Sequence, residues 1–589
     1  MSISRWLPCL DWGRQYNRSH AAQDSMAALI VTLMLIPQSL AYAMLAGLPP
    51  VHGLYASLLP LMLYAIFGSS RTLAVGPVAV VSLMTAAALQ PLFPQGGPSY
   101  IAAAMLLAMM SGLILTLMAV LRLGFFANFL SHPVISGFIS ASGLLIAIGQ
   151  LKHVLGISVS GESLVQLIPG LFSALPDTHG PTLLIGLLSL SWLWWARSQL
   201  KPLLQKLGLN AQVAANMAKA GPVLAIVMTI LAVSVLHLDQ SGVKVVGTIP
   251  QGLPAFSLPE LDWRLALQLL PAALLISLVG FVESVSVGQT LAAKRRQRID
   301  PDSELLGLGT ANLSAAFSGG FPVTGGFARS VVNYDAGAQT PMAGVFTAVG
   351  IALSALLLTP LLHNLPQAVL AATIIVAVLS LVDLGSLKRT WQYSKQDGLA
   401  QLATLLGVLF IGVEAGILIG VGLSLLLFLY RTSKPHMAVV GQVPGTEHFR
   451  NVQRFDVIES PSVLSLRVDE SLYFPNARYL EERISELIAA RPQVRHLVLM
   501  CPGVNLIDAS ALDSLEAIAE RLNIAGVQLH LSEVKGPVMD QLRRSDFLER
   551  FGGQVFISQY QALKTLAPEL TLSTLEHSHS FAASNRRNP

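Results

Sequence analysis

Apolar residues run through the first 430 positions in stretches long enough to cross a bilayer. A hydrocarbon core of about 30 Å takes roughly 20 residues of helix. By that measure the pattern predicts spans near 25–46, 51–68, 99–120, 128–150, 180–197, 221–238, 265–291, 341–362, 366–382, 399–413 and 414–431. Three further apolar segments, near 77–90, 303–319 and 327–336, are short or interrupted by glycine and proline. The total is fourteen segments, an even number that puts both termini on one side.

Past about residue 440 the period changes to that of a soluble α/β domain. Val463-Leu464-Ser465-Leu466-Arg467-Val468 alternates as a strand does, and Val494–Met500 reads as a buried strand. Asp508–Leu522 reads as an amphipathic helix opened by an Asp cap, followed by a strand at Val527–Leu531 and a helix at Lys535–Leu542. The expected division is a cytoplasmic segment 1–24, a membrane domain 25–435 with repeats at about 25–240 and 260–431, an α/β domain 440–565, and a disordered tail 566–589. The tail's Glu576-His577-Ser578-His579 reads as solvated.

Composition sharpens this division. Only 12% of the 589 residues are charged, about half the share usual in soluble domains, and the mean hydropathy is +0.60. Between Asp24 and Lys152 the only formal charges are Arg71 and Arg122. With a cytoplasmic N-terminus, the inside loops would hold Arg71, Arg122, Arg197, Lys201, Lys206, Lys219, Lys294-Arg295-Arg296, Arg298, Lys388, Arg389 and Lys395. The outside loops would hold only Lys152, Lys244 and Arg264. That bias satisfies the positive-inside rule. A net charge of +4 with scattered basic residues gives no nucleic-acid footprint. Cys9 and Cys501 offer neither a disulfide framework nor a metal spacing. Residues 1–20 lack the apolar core of a cleavable signal peptide.

An internal symmetry points to a site. Arg71-Thr72-Leu73-Ala74-Val75-Gly76-Pro77 leads from an extended stretch into a short helix. Seven spans later Phe321-Pro322-Val323-Thr324-Gly325-Gly326 does the same. A repeat of seven spans must be inverted, and paired interrupted spans mark transporter sites. Arg329 falls just inside the second short helix, where free N–H groups and the positive end of the helix dipole favour an anion. A purely structural pairing with Glu283 or Asp335 is the competing reading.

Glu283 falls within the eighth span, where a carboxylate must be protonated, paired or in a water-filled cavity. It reads as a titrating group on an ion pathway, as half of an ion pair, or, with the span shifted, as an interfacial residue. Gln38 and Tyr42, beside Pro37 in the first span, share a helix face and read as substrate contacts or as interhelical packing polar groups. Glu414 is expected to cap a helix at a tight turn; Arg71 and Lys294–Arg298 read as topology signals.

At these residues the chain resembles the sulfate permease (SulP) family. The resemblance rests on Pro37-Gln38-Ser39-Leu40-Ala41-Tyr42 and the run on to Tyr55, on Ser131–Phe138, and on the run from Glu283 to Asn333. Asp508-Ala509-Ser510-Ala511-Leu512 is similar to the core of that family's C-terminal STAS domain. The resemblance covers roughly residues 5–565. It implies a membrane all-α fold of fourteen segments in a seven-plus-seven inverted repeat, with core and gate domains moving in an elevator-like manner, plus a cytoplasmic α/β STAS domain. It implies an anion site between the starts of the third and tenth helices, lined by the first and eighth. Gln38 and Tyr42 would contact substrate; Val78, Ala79, Phe327 and Ala328 would offer backbone N–H groups. Arg329 would supply positive potential, and Glu283 the proton coupling. Many relatives read Gly-Ser-Phe-Ser-Arg-Ser where this chain reads Gly325-Gly326-Phe327-Ala328-Arg329-Ser330, so two hydroxyls are absent while the backbone donors remain. Ala509 occupies the position phosphorylated in anti-sigma antagonists, so no phosphoswitch is expected there.

The reading is a secondary transporter taking up an inorganic oxyanion, sulfate, with protons. It would work as a homodimer in a bacterial cell inner membrane with both termini cytoplasmic, with the STAS domain able to bind a cytosolic protein. Bicarbonate or C4-dicarboxylate uptake, and an uncoupled anion channel or sensor, are the alternatives. No cofactor or metal is implied, and no nucleophile–base pair or phosphate loop suggests an enzyme.

Overall fold

The computed structural model describes residues 6–570 except 129–130, 160, 162, 211–213, 215–216, 219–220, 249 and 260. The C-terminal Glu576–His579 and Lys219 therefore lie outside the described residues. The chain divides into two compact units, Met1–Ser424 and Leu425–Pro589.

The chain up to Ser433 realises the fourteen segments, the last of them running across the boundary between the units: α1 (Arg18–Leu45), α2 (Leu59–Phe67), α3 (Ala79–Leu89), α4 (Pro98–Val120), α5 (His132–Leu155), α6 (Gly180–Trp195), α7 (Gly221–Val235), α8 (Trp263–Lys294), α9 (Pro301–Phe317), α10 (Phe327–Asp335), α11 (Met342–Leu357), α12 (Gln367–Leu379), α13 (Lys395–Phe410) and α14 (Val413–Ser433). Polar side chains start several of them: Asn17 accepts from the His20 N–H at 2.9 Å, and Asp262 from the Arg264 N–H at 2.8 Å. By length and composition α1, α4, α5, α8, the run Gln367–Tyr393 and α14 each suffice to cross a membrane.

Two expected spans differ. The span near 51–68 is split into Val51–Tyr55 and α2. Pro60 explains the break, because it lacks the donor that would bond the Ala56 carbonyl. The span near 341–362 ends at Leu357 and continues as a 3-10 turn over Thr359–Leu362, opened by Pro360. Helices at Leu164–Ala174 and Leu384–Tyr393 fall where loops were expected.

Packing carries the inverted symmetry explicitly. Helix α4 packs against α8 and α9, and its counterpart α11 packs against α1 and α2. Helix α5 packs against α13, and its counterpart α12 against α6. The pairs α2–α9 and α5–α12 each join a segment to its own counterpart. One group is thus α1–α4 with α8–α11, and the other is built on α5, α6, α12 and α13.

The second unit is a six-stranded sheet in the order β4-β3-β5-β6-β7-β8, taking β1 and β2 as the short strands of the membrane unit described below. Its strands are β3 (Met437–Gln442), β4 (Phe449–Asn451), β5 (Val463–Val468), β6 (His496–Met500), β7 (Gln528–Ser532) and β8 (Val555–Phe556). Strands β5 to β8 run parallel, and β3 is antiparallel to both its neighbours. Alternation sends Leu466, Leu497, Leu499 and Leu529 into one core with α15 (Phe474–Ala489), α16 (Ala509–Ile524) and α17 (Gly536–Leu542). Val463, Val498 and Met500 face the other way, onto α18 (Gln559–Leu566). Asp508 caps α16 by accepting from the Ala511 N–H at 2.9 Å.

Candidate functional site

Helices α3 and α10 are too short to span. At 1.5 Å per residue, α3 (11 residues) and α10 (9 residues) are each about half the thickness of a bilayer core. Each is preceded by a two-residue strand, β1 (Val75–Gly76) before α3 and β2 (Thr324–Gly325) before α10. The strands pair antiparallel, Val75 opposite Gly325 and Gly76 opposite Thr324. The chain therefore leaves the pair at opposite ends, and the two helix starts are held together. Helix α1 flanks both short helices, and so does α8.

Neither start has a side-chain cap. The first bonds of the two ladders are Ser82 N–H to Val78 O (2.9 Å) and Ser330 N–H to Gly326 O (3.0 Å). The N–H groups of Ala79, Phe327 and Ala328 precede those ladders, as the orphan donors of a helix start do. Val78 is the N-cap residue of α3. Val78 and Ala79 are buried, whereas Phe327 and Ala328 are exposed.

Arg329 is 2% exposed, so its charge is not directed to bulk water. Its guanidinium lies against one glycine from each lead-in: a Cβ at Gly76 would stand 2.9 Å from Nη1, and one at Gly326 2.8 Å from Nε. Both Nη atoms are buried without a hydrogen-bond partner. Among the described residues no carboxylate lies within ion-pair distance of it, so a structural ion pair with Glu283 or Asp335 is not what the fold makes. A buried, unmet guanidinium costs several kcal/mol and calls for a ligand or a function to offset it.

Three predicted residues come together electrostatically: Glu283 and Arg329 act on each other's charge, and both act on Tyr42. Gln38 and Tyr42 are buried on α1, and no hydrogen bond from either side chain occurs among the described contacts. Interhelical hydrogen bonding does not account for them. Glu283 is half-buried and faces a narrow cavity of about 20 Å³ with Val134, Ile135 and Phe138 of α5 and Ile417 of α14.

Several residues that sequence reasoning passed over hold this arrangement. Ser284 Oγ accepts from the Gly325 N–H (2.9 Å) and pairs with Thr324 Oγ1 (2.8 Å), which donates to Gly280 O (2.6 Å). Ser330 Oγ accepts from the Ala74 N–H (2.9 Å), and Asn333 donates to Thr72 O (3.0 Å). Asn312 brackets Val323 with a bond to each of its backbone groups, at 2.8 and 2.9 Å. The available signal was their polarity inside apolar segments, all within the run from Glu283 to Asn333.

Two other buried acids are structural. Glu304, fully buried, accepts from Tyr64 Oη (2.7 Å), Ser69 Oγ (2.7 Å) and the Ser69 and Ser70 N–H groups (2.8 Å each). Asp24, inside α1 and fully buried, accepts from the Gln339 N–H (2.6 Å) and from Thr340 Oγ1 (2.6 Å). Glu414 lies in the first turn of α14, where a carboxylate favours the helix dipole. No cluster of three potential metal ligands occurs among the described residues.

Residues 22–404 match the sulfate permease family, and residues 454–562 match the STAS domain. The chain is 35% identical to sulfate transporter 4.1, chloroplastic, of Arabidopsis thaliana, covering 98% of this chain and 85% of that protein. It is 32% identical to high affinity sulfate transporter 2 of Stylosanthes hamata, covering 96% and 86%. Its fold matches the murine solute carrier 26 family member A9 anion transporter, solved in the inward-facing state, with a TM-score of 0.85 at 22% identity over 95% of this chain and 94% of that one. These relatives support a multi-pass membrane transporter but lend nothing to a bacterial inner membrane, being from plants and mouse. A buried arginine between two paired half-helices, in a seven-plus-seven inverted repeat followed by a STAS domain, thus agrees with the match along the chain: this protein belongs to the sulfate permease family.

Proposed function

We propose that the protein is a secondary active transporter, not an enzyme, which takes up sulfate together with protons. The observation that carries this is the buried Arg329 guanidinium, without a protein partner, between the uncapped starts of α3 and α10. A tetrahedral dianion there would accept from the guanidinium and from the N–H groups of Val78, Ala79, Phe327 and Ala328. Gln38 and Tyr42 would close the site from α1. The names of the plant relatives support sulfate as the anion.

Glu283 would carry the coupling proton. An ionised Glu283 repels an arriving dianion; protonation removes the repulsion, so proton and anion favour each other's binding. The division of segments into two packed groups supports an elevator-like motion of α1–α4 with α8–α11 against the others. We further propose a homodimer with both termini cytoplasmic, and a STAS domain open to a cytosolic protein.

The test is uptake of labelled sulfate into proteoliposomes under an inward proton gradient, with unlabelled bicarbonate and dicarboxylates as competitors. Glu283→Gln should leave sulfate exchange measurable and abolish gradient-driven accumulation. Accumulation that survives the substitution would overturn the coupling, and competition by bicarbonate alone would overturn the substrate.

A further inference from the structure

A large cavity in the membrane unit plays no part in the site above. It measures about 1050 Å³ and lies among the ends of α1, α3 and α5, the turn between α13 and α14, and the stretch leading into α12. Its polar lining includes Gln90, Gln150, Lys152, His153, Lys244 and Glu414. The alternation of segments puts this cavity on the face opposite the Lys294–Arg298 loop.

That face is poor in basic residues. Only Lys152, Lys244 and Arg264 were assigned to it, and two of those three share this one cavity. Lys244 is close enough to act on the charge of Lys152, and both act on His153. Among the described residues neither lysine has a carboxylate within ion-pair distance. Lys152 gives a hydrogen bond to Val159 O at 3.1 Å, leaving further donors on Nζ. Glu414 has a contact of its own.

Lys244 is held in position rather than left on a free loop. Its carbonyl accepts from the Gln367 N–H at 2.9 Å, Val245 bridges Pro366, and the Val246 N–H donates to Leu365 O at 2.8 Å. The fold thus fixes two like charges beside one concavity, against their mutual repulsion, on a face where the positive-inside rule disfavours them. An anion would relieve that repulsion. The charged residues described in the lining are Lys152, Lys244 and Glu414, a net positive set that raises the local concentration of an anion.

We propose that this cavity is a second anion-binding site, separate from Arg329, in which Lys152 and Lys244 capture a doubly charged oxyanion before it reaches the centre. The inference takes only the identity of the anion from the transport reading. It needs no transport to be tested.

The experiment labels a cysteine placed at Ser158, an exposed residue of the cavity lining, with membrane-impermeant thiol reagents. Cys9 is replaced by serine. Cys501 stays, because burial and Glu533 push its thiol up to about 12, so it does not react. The anionic reagent should react about tenfold faster than the cationic one, and sulfate should slow labelling. Lys152→Gln with Lys244→Gln should abolish both effects, while Lys152→Arg with Lys244→Arg keeps them. Protection by sulfate should persist in Arg329→Ala. Equal rates for the two reagents, or protection lost in Arg329→Ala, would overturn the proposal. Protection that persists in a chain failing to accumulate sulfate would support the site and count against the transport reading instead.

Discussion

A Cβ on Gly76 would stand 2.9 Å from Arg329 Nη1, so the bare backbone of the first repeat faces the only buried lysine or arginine among the described residues. The two residues are 253 positions apart (329 − 76), and each belongs to the lead-in or start of a different half-helix. Their contact means that the cation is set by both repeats at once.

The glycines on either side of the guanidinium should therefore tolerate no side chain. Gly326→Ala places its Cβ 2.8 Å from Nε, and Gly76→Ala adds backbone strain at φ +154°. Each is expected to weaken sulfate binding at least tenfold, about 1.4 kcal/mol, in a titration of binding to detergent-purified protein. Gly422→Ala, whose Cβ meets nothing within 4 Å, should leave it unchanged.

Replacing the arginine should separate stability from function. Arg329→Met removes two buried nitrogens that have no partner. Thermal unfolding should then shift upward or stay level, whereas the stabilisation by added sulfate should vanish along with uptake. A fall in Tm of the unliganded variant would mean that the guanidinium has a structural role.

Ser284 should act as a positioning residue. Ser284→Ala leaves the Gly325 N–H without its acceptor and Thr324 without one of its two hydroxyl contacts. A cost of about 1–3 kcal/mol is expected, read as a lower Tm with weaker sulfate stabilisation. Ser111→Ala provides the comparison: it breaks the buried Ser111–Ser277 contact (2.9 Å) between α4 and α8, away from the strands. It should lower Tm while leaving sulfate affinity unchanged.

The C-terminal domain should lose stability on acidification. His530 Nδ1 accepts from the Gln554 N–H (3.1 Å), so the ring proton sits on Nε2 and is donated to His496 Nδ1 (3.1 Å). Burial, with the neighbouring His496, pushes His530 down to about 4. An unfolded chain takes up that proton near the ordinary value of 6.5, so the stability is whole above 6.5 and declines as pH falls toward 4. Hydrogen exchange of β7 in the intact protein, corrected for intrinsic rates, should accelerate over that range. His530→Asn should flatten the profile.

What could be read along the chain is what depends on a local window. The long helices α4, α5 and α8 need only sustained apolar residues, and the Asp508 cap with the alternation of β5 needs only near neighbours. Even the break before α2 is local, since Pro60 alone denies the Ala56 carbonyl its donor. Strand β3, by contrast, is recognisable only by its two antiparallel partners, and β8 is two residues long. Both escaped notice for that reason.

The amino-acid order alone determined that two short helices would start at equivalent places in inverted repeats and that Arg329 would stand at one of those starts. Folding decided that Val75 and Gly325 pair, that Ser330 holds the backbone of Ala74, and that the guanidinium is left without a protein acceptor. These contacts join residues some 250 positions apart, and hydropathy and periodicity report only on neighbours within a few turns. A polar side chain in an apolar span shows that some partner is required; only the packing of the two repeats says which one, or that the place is kept for a ligand.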